Sequence, residues 1–150
     1  MIPTDLIESC PAADAVISSP DMVDTLAASP GHYLLVLQIN GDVALEKPRA
    51  DTLTAGWYLY AGSALGPGGL RGRVGRHFRA DKRPHWHIDQ LTSGGNLIAA
   101  LGYLHFSECQ LVELLAGRGF AFPLPGFGSS DCRSCQSHLL RWPGKEEARA

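Results

Sequence analysis

The sequence contains no long hydrophobic run and few charged residues. Its longest nearly uninterrupted apolar segments, YLLVL and LIAALGYL, fall far short of the roughly 20 residues that span a bilayer. Charged residues make up only 19% of the 150 residues, whereas apolar residues make up 45%, which is close to the average of globular domains. We therefore expect one domain with a buried core, and we exclude membrane, collagen-like and disordered proteins.

Cysteine is also scarce. The four cysteines, at positions 10, 109, 132 and 135, are too few and too unevenly spaced for a disulfide-stabilised secreted scaffold. The N-terminus has neither a basic start nor a long apolar stretch, so it does not resemble a secretory signal. We expect a cytoplasmic protein with reduced thiols and no contact with a membrane.

Positive charge is absent from the first 46 residues, which carry seven acidic residues. In contrast, residues 71–83 contain six of the thirteen basic residues: Arg71, Arg73, Arg76, Arg79, Lys82 and Arg83. Such a basic stripe indicates either a local anionic partner or a solvated helix face, and the charge pattern alone fits both interpretations.

Alternating and continuous apolar patterns predict several strands. The predicted strands are HYLLVLQI, WYLYAGSA, NLIAALGYLH and HLLRW. Asn40-Gly41 separates the first strand from DVALEK, and an Asn-Gly pair between two such runs is the strongest short-range signal for a β-hairpin. We therefore expect a hairpin at this pair.

Helical patterns follow in the second half of the chain. A helix is predicted over residues 69–80, where Leu70, Val74 and Phe78 form an apolar stripe. Ser107 begins a Ser-x-x-Gln capping box that starts another helix. Two shorter helices are predicted over DMVDTLAAS and HWHIDQLTS. The order of elements describes a small α+β sheet with helices packed on it.

Two polar residues of the predicted 69–80 helix flank its apolar stripe. Arg73 and His77 are four residues apart, so a helix places them on one face, whereas Arg76 and Arg79 point away from the stripe. Arg73 is then either partly sheltered, where a guanidinium meets a phosphate bidentately, or extends its tip into water.

Glu108 lies in the first turn of the helix that Ser107 starts. A carboxylate there either complements the helix dipole or serves as the lone protein ligand that, with waters, holds Mg²⁺ in phosphoryl-transfer sites. Tyr33, Tyr58 and Tyr60 lie on predicted strands, and their local sequence indicates nothing beyond packing.

The segment Cys132-x-x-Cys135-x-x-His138 has the spacing of metal ligands. It is a single knuckle, and a complete zinc site would need a further donor such as His85 or His87. The alternative is a loop of reduced thiols. We expect the latter, with little or no stoichiometric zinc.

Together these residues resemble the GIY-YIG endonuclease superfamily. Gly31-His32-Tyr33 and Tyr60-Ala61-Gly62 look like its paired signature, and LRGRVGRH looks like its helix, with Arg73 and His77 at the family's Arg and His positions. Glu108 falls where that family keeps its metal-binding Glu. Longer blocks resemble the Uri-type branch, some relatives of which are fused to base-excision glycosylases: YLYAGSALGPGGL, RHFRADKRPHWHIDQL, SECQL and GFGSSDCRSCQSHL.

The resemblance covers residues 31–142 and leaves 1–30 as an N-terminal extension and 143–150 as a tail. It implies an α+β fold with a small, mainly antiparallel central sheet flanked by helices. Two departures stand out. His32 and Ala61 replace the middle Ile of the two triplets, and the family's late Asn motif is not evident.

The resemblance also implies a one-metal endonuclease that hydrolyses phosphodiester bonds in nucleic acid, with DNA expected rather than RNA. It implies that Glu108 holds Mg²⁺ or Mn²⁺, that Arg73 stabilises charge on the phosphate, and that Tyr33 or Tyr60 activates water beside His77. We expect the nucleic acid to be bound by the basic stripe and the adjoining histidines: Arg71, Arg76, Arg79, Lys82, Arg83, His85 and His87.

Two alternatives come from other functional classes. One is a nucleic-acid-binding module that keeps the scaffold without catalysis. The other is a zinc-stabilised interaction protein built on the knuckle of Cys132, Cys135 and His138. Metal-dependent cleavage of nucleic acid separates the first alternative from an enzyme, and metal analysis of the purified protein tests the second.

Overall fold

A computed structural model describes residues 2–79, 86–94, 96–128 and 135–144. Its strands are β1 (Ala15–Ile17), β2 (Gly31–Ile39), β3 (Val43–Leu45), β4 (Asp51–Leu53), β5 (Gly56–Ala64), β6 (Leu97–Tyr103) and β7 (Leu139–Arg141). Its helices are α1 (Thr4–Glu8), α2 (Gly69–Phe78), α3 (Asp89–Thr92) and α4 (Glu108–Gly117), with a 3₁₀ helix over Pro20–Thr25. No helix in these ranges is long and apolar enough to cross a membrane.

Five strands form one antiparallel sheet in the order β1-β6-β2-β5-β7, and β3 and β4 form a separate two-stranded ribbon. The two longest strands, β2 and β5, lie at the centre and pair along their full length, from Gly31 opposite Ala64 to Ile39 opposite Gly56. The predicted fold class, a small and mainly antiparallel α+β sheet flanked by helices, is confirmed.

The predicted hairpin at Asn40-Gly41 is wrong. β2 pairs with β5 and β6, whereas β3 pairs with β4. Neither Asn40 nor Gly41 has the positive φ that a type I′ turn requires. The local turn signal is overridden because β5 is long and apolar enough to pair with all of β2, which the three-residue β3 is not.

Helices cover both faces of the sheet. On one face, Tyr33 and Leu35 of β2 belong to a buried cluster that includes Leu70 of α2. On the opposite face, Leu34 belongs to a second cluster that includes Leu111 of α4. Because both faces are buried, β2 reads as a continuous apolar run rather than as an alternation of apolar and polar residues.

The predicted capping box at the start of α4 is present. The backbone N–H of Gln110 donates to the Ser107 hydroxyl at 3.1 Å, and the Ser107 N–H donates to the Gln110 side chain at 2.8 Å. Two of the donors that a helix N-terminus leaves without intrahelical partners are satisfied in this way. The first turn of α4, which contains Glu108, is therefore held in a defined position.

The N-terminal residues 2–30 pack against the rest of the domain. β1 adds an edge strand beside β6, and Leu26 is buried in the core. The predicted helix over DMVDTLAAS is the 3₁₀ helix Pro20–Thr25, which packs on α2. Arg71 of α2 donates to the backbone carbonyls of Leu26 and Asp24 at 3.1 and 3.3 Å. This segment thus contributes to the core, which its sequence did not indicate.

Candidate active site

A cleft of about 160 Å³ opens beside α2, at the face of the sheet where β2 and β5 carry their tyrosines. The five residues predicted as catalytic all line it: Tyr33, Tyr60, Arg73, His77 and Glu108. They come from four elements, since β2, β5, α2 and the first turn of α4 each contribute at least one. The fold therefore brings together residues that are up to 75 positions apart in the sequence.

Tyr33 and His77 form a buried pair in this cleft. The Tyr33 hydroxyl lies 2.7 Å from Nε2 of His77, and the two residues are 2% and 0% exposed. Gly62 stands opposite Tyr33 in the sheet, and a Cβ at that position would collide with the phenol ring. The glycine of the YAG triplet thus leaves the space into which the Tyr33 ring folds.

Tyr60 lies on the same side of the sheet in a different environment. Its ring meets Phe127 edge-on, with ring centroids 6.1 Å apart. Gly128 closes over it with a φ of +70°, and a Cβ there would stand 2.7 Å from the Tyr60 hydroxyl oxygen. That hydroxyl has no hydrogen-bond partner among the described residues. Among the described residues, Nε2 of His77 is therefore a proton acceptor for the Tyr33 hydroxyl, and the Tyr60 hydroxyl has none.

Burial raises the pKa of both tyrosines above the usual range, because a phenolate loses its hydration inside the protein. For Tyr33, the charge of the neighbouring Arg73 and a hydrogen bond from it lower the pKa in part. For Tyr60, the next largest influences after burial are Tyr33 and Glu108, which raise the pKa further. Arg73 is the main influence that opposes burial at Tyr33 and the smallest influence at Tyr60, and the pKa of both hydroxyls stays raised.

Arg73 reaches the cleft from α2 and is held by two contacts. One of its terminal nitrogens donates to the backbone carbonyl of Ser63 at 2.9 Å. Its guanidinium also lies over the Trp86 ring, 4.5 Å from the centroid. Trp86 lines the cleft as well, and it was missed by sequence reasoning. The available signal was an aromatic residue next to a basic stripe, where cation–π contacts are common.

Arg76, which the helical pattern places away from the apolar stripe, does not extend into bulk solvent. It forms a bidentate ion pair with the fully buried Asp89 of α3, at 2.9 and 3.0 Å, and lies over the Trp86 ring at 4.3 Å. Asp89 also accepts the backbone N–H of Trp86 at 2.9 Å. Asp89 meets Arg76 because α3 packs on this side of α2. Arg76 and Asp89 therefore position the tryptophan that supports Arg73.

The other residues predicted to bind nucleic acid have separate positions. Arg71 is held by the N-terminal segment and does not line the cleft, and Arg79 is exposed at the end of α2.

His87 accepts the backbone N–H of Gly128 through Nδ1 at 2.9 Å. Burial and the charge of Lys47 lower the pKa of His87, which favours the neutral ring that this bond needs. Lys82, Arg83, His85 and Cys132 lie outside the described residues.

Glu108 forms the acidic wall of the cleft. Its side chain is 27% exposed, and Oε2 lies 3.7 Å from Nδ1 of His138. It is the only carboxylate among the described residues that line the cleft. Mg²⁺ is usually held by one or two carboxylates together with waters and substrate phosphates. The donor set at this wall therefore fits Mg²⁺ or Mn²⁺.

A second donor group lies immediately behind this wall. One ligand atom from each of Cys109, Cys135 and His138 lies within 4.8 Å of the others, so the group can bind a metal ion. The sulfur atoms of Cys109 and Cys135 are 2.9 Å apart. Sequence reasoning sought the missing donor among the histidines of HWHID. It missed Cys109 because only tertiary packing brings the first turn of α4 to the segment before β7.

Comparison with known proteins gives one family. A family model described as a domain of unknown function, DUF123, matches residues 32–150, which begin within β2 and include every predicted catalytic residue. No curated protein and no solved structure matches the chain. The family description assigns no activity.

Proposed function

We propose a function for this chain, which belongs to the DUF123 family. It is a divalent-metal-dependent endonuclease of GIY-YIG type, Uri-like branch. The proposed reaction is hydrolysis of a phosphodiester bond in nucleic acid, DNA rather than RNA, by a one-metal mechanism. The observation that carries the proposal is the convergence of Tyr33, His77, Arg73 and Glu108 on one cleft of about 160 Å³. A base, a cation and a metal-binding carboxylate are the groups that such hydrolysis requires.

Glu108 is the residue proposed to hold Mg²⁺ or Mn²⁺, and the metal, when bound, supplies charge stabilisation at the leaving oxygen. The capping box at Ser107 fixes the helix turn on which Glu108 lies. Its carboxylate is therefore positioned before substrate arrives. A preorganised charge is worth more in a partly dry cleft than in bulk water, where solvent screens it.

Arg73 is proposed to bind the phosphate oxygens on which negative charge grows in the transition state. The Ser63 carbonyl and the Trp86 ring hold its guanidinium in place without neutralising it. A planar fork of donors matches the geometry of a phosphate. Removing one such preorganised donor typically costs roughly 2.7–4 kcal/mol of transition-state stabilisation.

Tyr33 is proposed as the general base, with His77 as its proton acceptor. Water loses a proton to the Tyr33 oxygen while the phenolic proton passes to Nε2 of His77, which lies 2.7 Å away. The oxygen of the water then bonds to phosphorus as the bond to the leaving oxygen breaks. Tyr33 never has to ionise alone in this relay, which matters because burial raises its pKa.

The experiment is a cleavage screen of the purified protein against single-stranded, branched and damaged duplex DNA and against RNA, with and without Mg²⁺. Glu108→Gln is then compared with the wild type on the substrate that is cleaved. This change keeps the side-chain volume and the capping box and removes only the charge. We expect cleavage to fall by orders of magnitude while binding stays near wild type, because the loss lies in the transition state.

Glu113→Gln is the matched control, since Glu113 is an exposed residue on the same helix. It should cleave like the wild type. A Glu108→Gln protein that cleaves at the wild-type rate in Mg²⁺ would contradict the proposed metal site. Binding without cleavage on every substrate would instead support a non-catalytic nucleic-acid-binding module.

A further inference from the structure

We propose that Cys109, Cys135 and His138 form a zinc site directly behind the acidic wall of the cleft. This site is distinct from the Glu108 carboxylate that is assigned to Mg²⁺ or Mn²⁺, and it does not depend on the nuclease proposal. It also reverses the expectation from the sequence, where the Cys-x-x-Cys-x-x-His segment lacked a further donor.

The first support is the way in which two chain segments bring three donors together. Cys109 comes from the first turn of α4, whereas Cys135 and His138 come from the segment that leads into β7. Their ligand atoms lie within 4.8 Å of one another, and the two sulfurs are 2.9 Å apart. A single ion can therefore contact all three with only small side-chain adjustments.

The second support is the state of His138, which is 2% exposed. Its backbone N–H donates to the carbonyl of Phe127, and its own carbonyl accepts the N–H of Ala61, both at 2.9 Å. The backbone that carries the ring is thus held in place. Its Nε2 is buried and has no hydrogen-bond partner among the described residues, whereas Nδ1 faces Glu108 at 3.7 Å.

A buried ring nitrogen without a partner is costly, and native structures usually satisfy such groups. We assign Nε2 as the metal donor because Nδ1 already faces a carboxylate. A carboxylate behind the second nitrogen of a ligating histidine is the common arrangement at zinc, where it orients the ring and raises its basicity. Glu108 lies on the Nδ1 side of His138, at a distance of 3.7 Å that is longer than a hydrogen bond.

The chemistry of the donors selects the ion. Thiolates and imidazole favour zinc, whereas Mg²⁺ and Mn²⁺ prefer oxygen ligands. Three donors leave one of zinc's four tetrahedral positions for water or another ligand. Cys132, which the sequence also indicated as a ligand, lies outside the described residues, and the inference stands on the other three.

Zinc at this position would connect the start of α4 to the segment before β7. Glu108 and His138, which border the cleft, would then be held by the same ion, Glu108 through its neighbour Cys109 and His138 directly. The expected role of the site is therefore structural. It fixes the acidic wall relative to the sheet that carries Tyr60.

The test is metal analysis of the full chain, purified under reducing conditions and dialysed against metal-free buffer. We expect about one zinc ion per chain in the wild type. Cys109→Ser should lower zinc affinity by roughly 100-fold or more, since even residues behind the ligands cost 10–100-fold when changed. Cys10→Ala is the matched control and should keep the zinc.

Cys10 is suited to that role because it is not part of the donor group, and its buried thiol donates to the Leu6 carbonyl. Burial raises the pKa of Cys10 to about 12, against a smaller opposing effect of Arg118, so its thiol stays protonated. A loss of zinc that is specific to Cys109→Ser is therefore attributable to the site and not to the removal of a thiol in general.

Because Cys109→Ser could unfold, cobalt titration of the wild-type protein supplies a second measurement. We expect thiolate-to-cobalt charge-transfer absorption at one equivalent, with the strong visible bands of tetrahedral cobalt, and its displacement by zinc. Wild-type protein that binds neither ion stoichiometrically, or that instead contains a Cys109–Cys135 disulfide after reduction and repurification, would overturn the proposal. Zinc content that is normal in Arg73→Ala, whose side chain is not part of the donor group, keeps this result separate from the nuclease test.

Discussion

Two arginines of α2, Arg73 and Arg76, have different partners in the folded protein. Arg73 and Arg76 are three residues apart, and both guanidinium groups lie over the ring of Trp86, at 4.5 and 4.3 Å. Arg76 meets the buried carboxylate of Asp89, whereas Arg73 meets the neutral carbonyl of Ser63 and lines the cleft. The same residue type thus has two environments on one helix.

This difference identifies which of the two guanidinium charges a bound substrate can meet. The positive charge of Arg76 is compensated by a carboxylate that is itself out of water, so its main effect is on folding. Arg73 forms no ion pair among the described residues. The structure therefore divides the basic stripe into an arginine that supports the site and an arginine proposed to act in it.

The largest expected effect belongs to Arg73→Ala. We expect single-turnover cleavage in Mg²⁺ to fall by about 10²–10³-fold, because a donor aimed at developing charge is lost. Arg73→Lys should recover only part of the rate, since an ammonium keeps the charge without the planar fork. If Arg73→Ala cleaves as fast as the wild type, the division between the two arginines is wrong.

The next largest effect is expected for Arg76→Met, and it is an effect on stability. Asp89 would be left buried without its partner, which we expect to lower the free energy of unfolding by roughly 3 kcal/mol in urea titrations. Adding Asp89→Asn should restore much of the loss, because a neutral amide no longer needs the guanidinium and can still accept the Trp86 N–H. An unchanged urea midpoint in Arg76→Met would show that the pair contributes nothing.

The smallest effect is expected for Arg79→Ala. Arg79 is exposed at the end of α2, and the proposed function expects it to contact a backbone phosphate. Its loss should reduce the slope of log affinity against log salt by about one unit on duplex DNA. Arg76→Met should leave that slope unchanged in protein that remains folded. Equal slopes for the wild type and Arg79→Ala would identify the stripe as a solvated helix face.

Much of the fold was predictable because its signals are local. The apolar period of α2 and the capping box of α4 fix backbone geometry within a few residues, and both predictions are confirmed. The Asn40-Gly41 hairpin shows the limit of such signals. A turn preference is worth little when a nine-residue strand from elsewhere in the chain competes for the same edge.

The candidate site was predictable only as a set of residue types. Family-like motifs identified Tyr33, Arg73, His77 and Glu108, and the cleft collects all four. For Trp86 the sequence offered only an aromatic residue near basic ones, and it gave no signal for the pairing of Asp89 with Arg76. These contacts depend on how α3 packs against α2, and that packing is decided by the whole core.

By itself, the sequence determined the long central strands and the helices α2 and α4, because short-range periodicity and capping are carried residue by residue. The candidate catalytic residues were implied by the resemblance to a family. Tertiary structure alone decided that Tyr33 has a histidine partner, that Arg76 is neutralised, and that Cys109 joins Cys135 and His138. Partners of this kind come from distant segments. Their meeting depends on the joint packing of helices and sheet, and no local pattern encodes it.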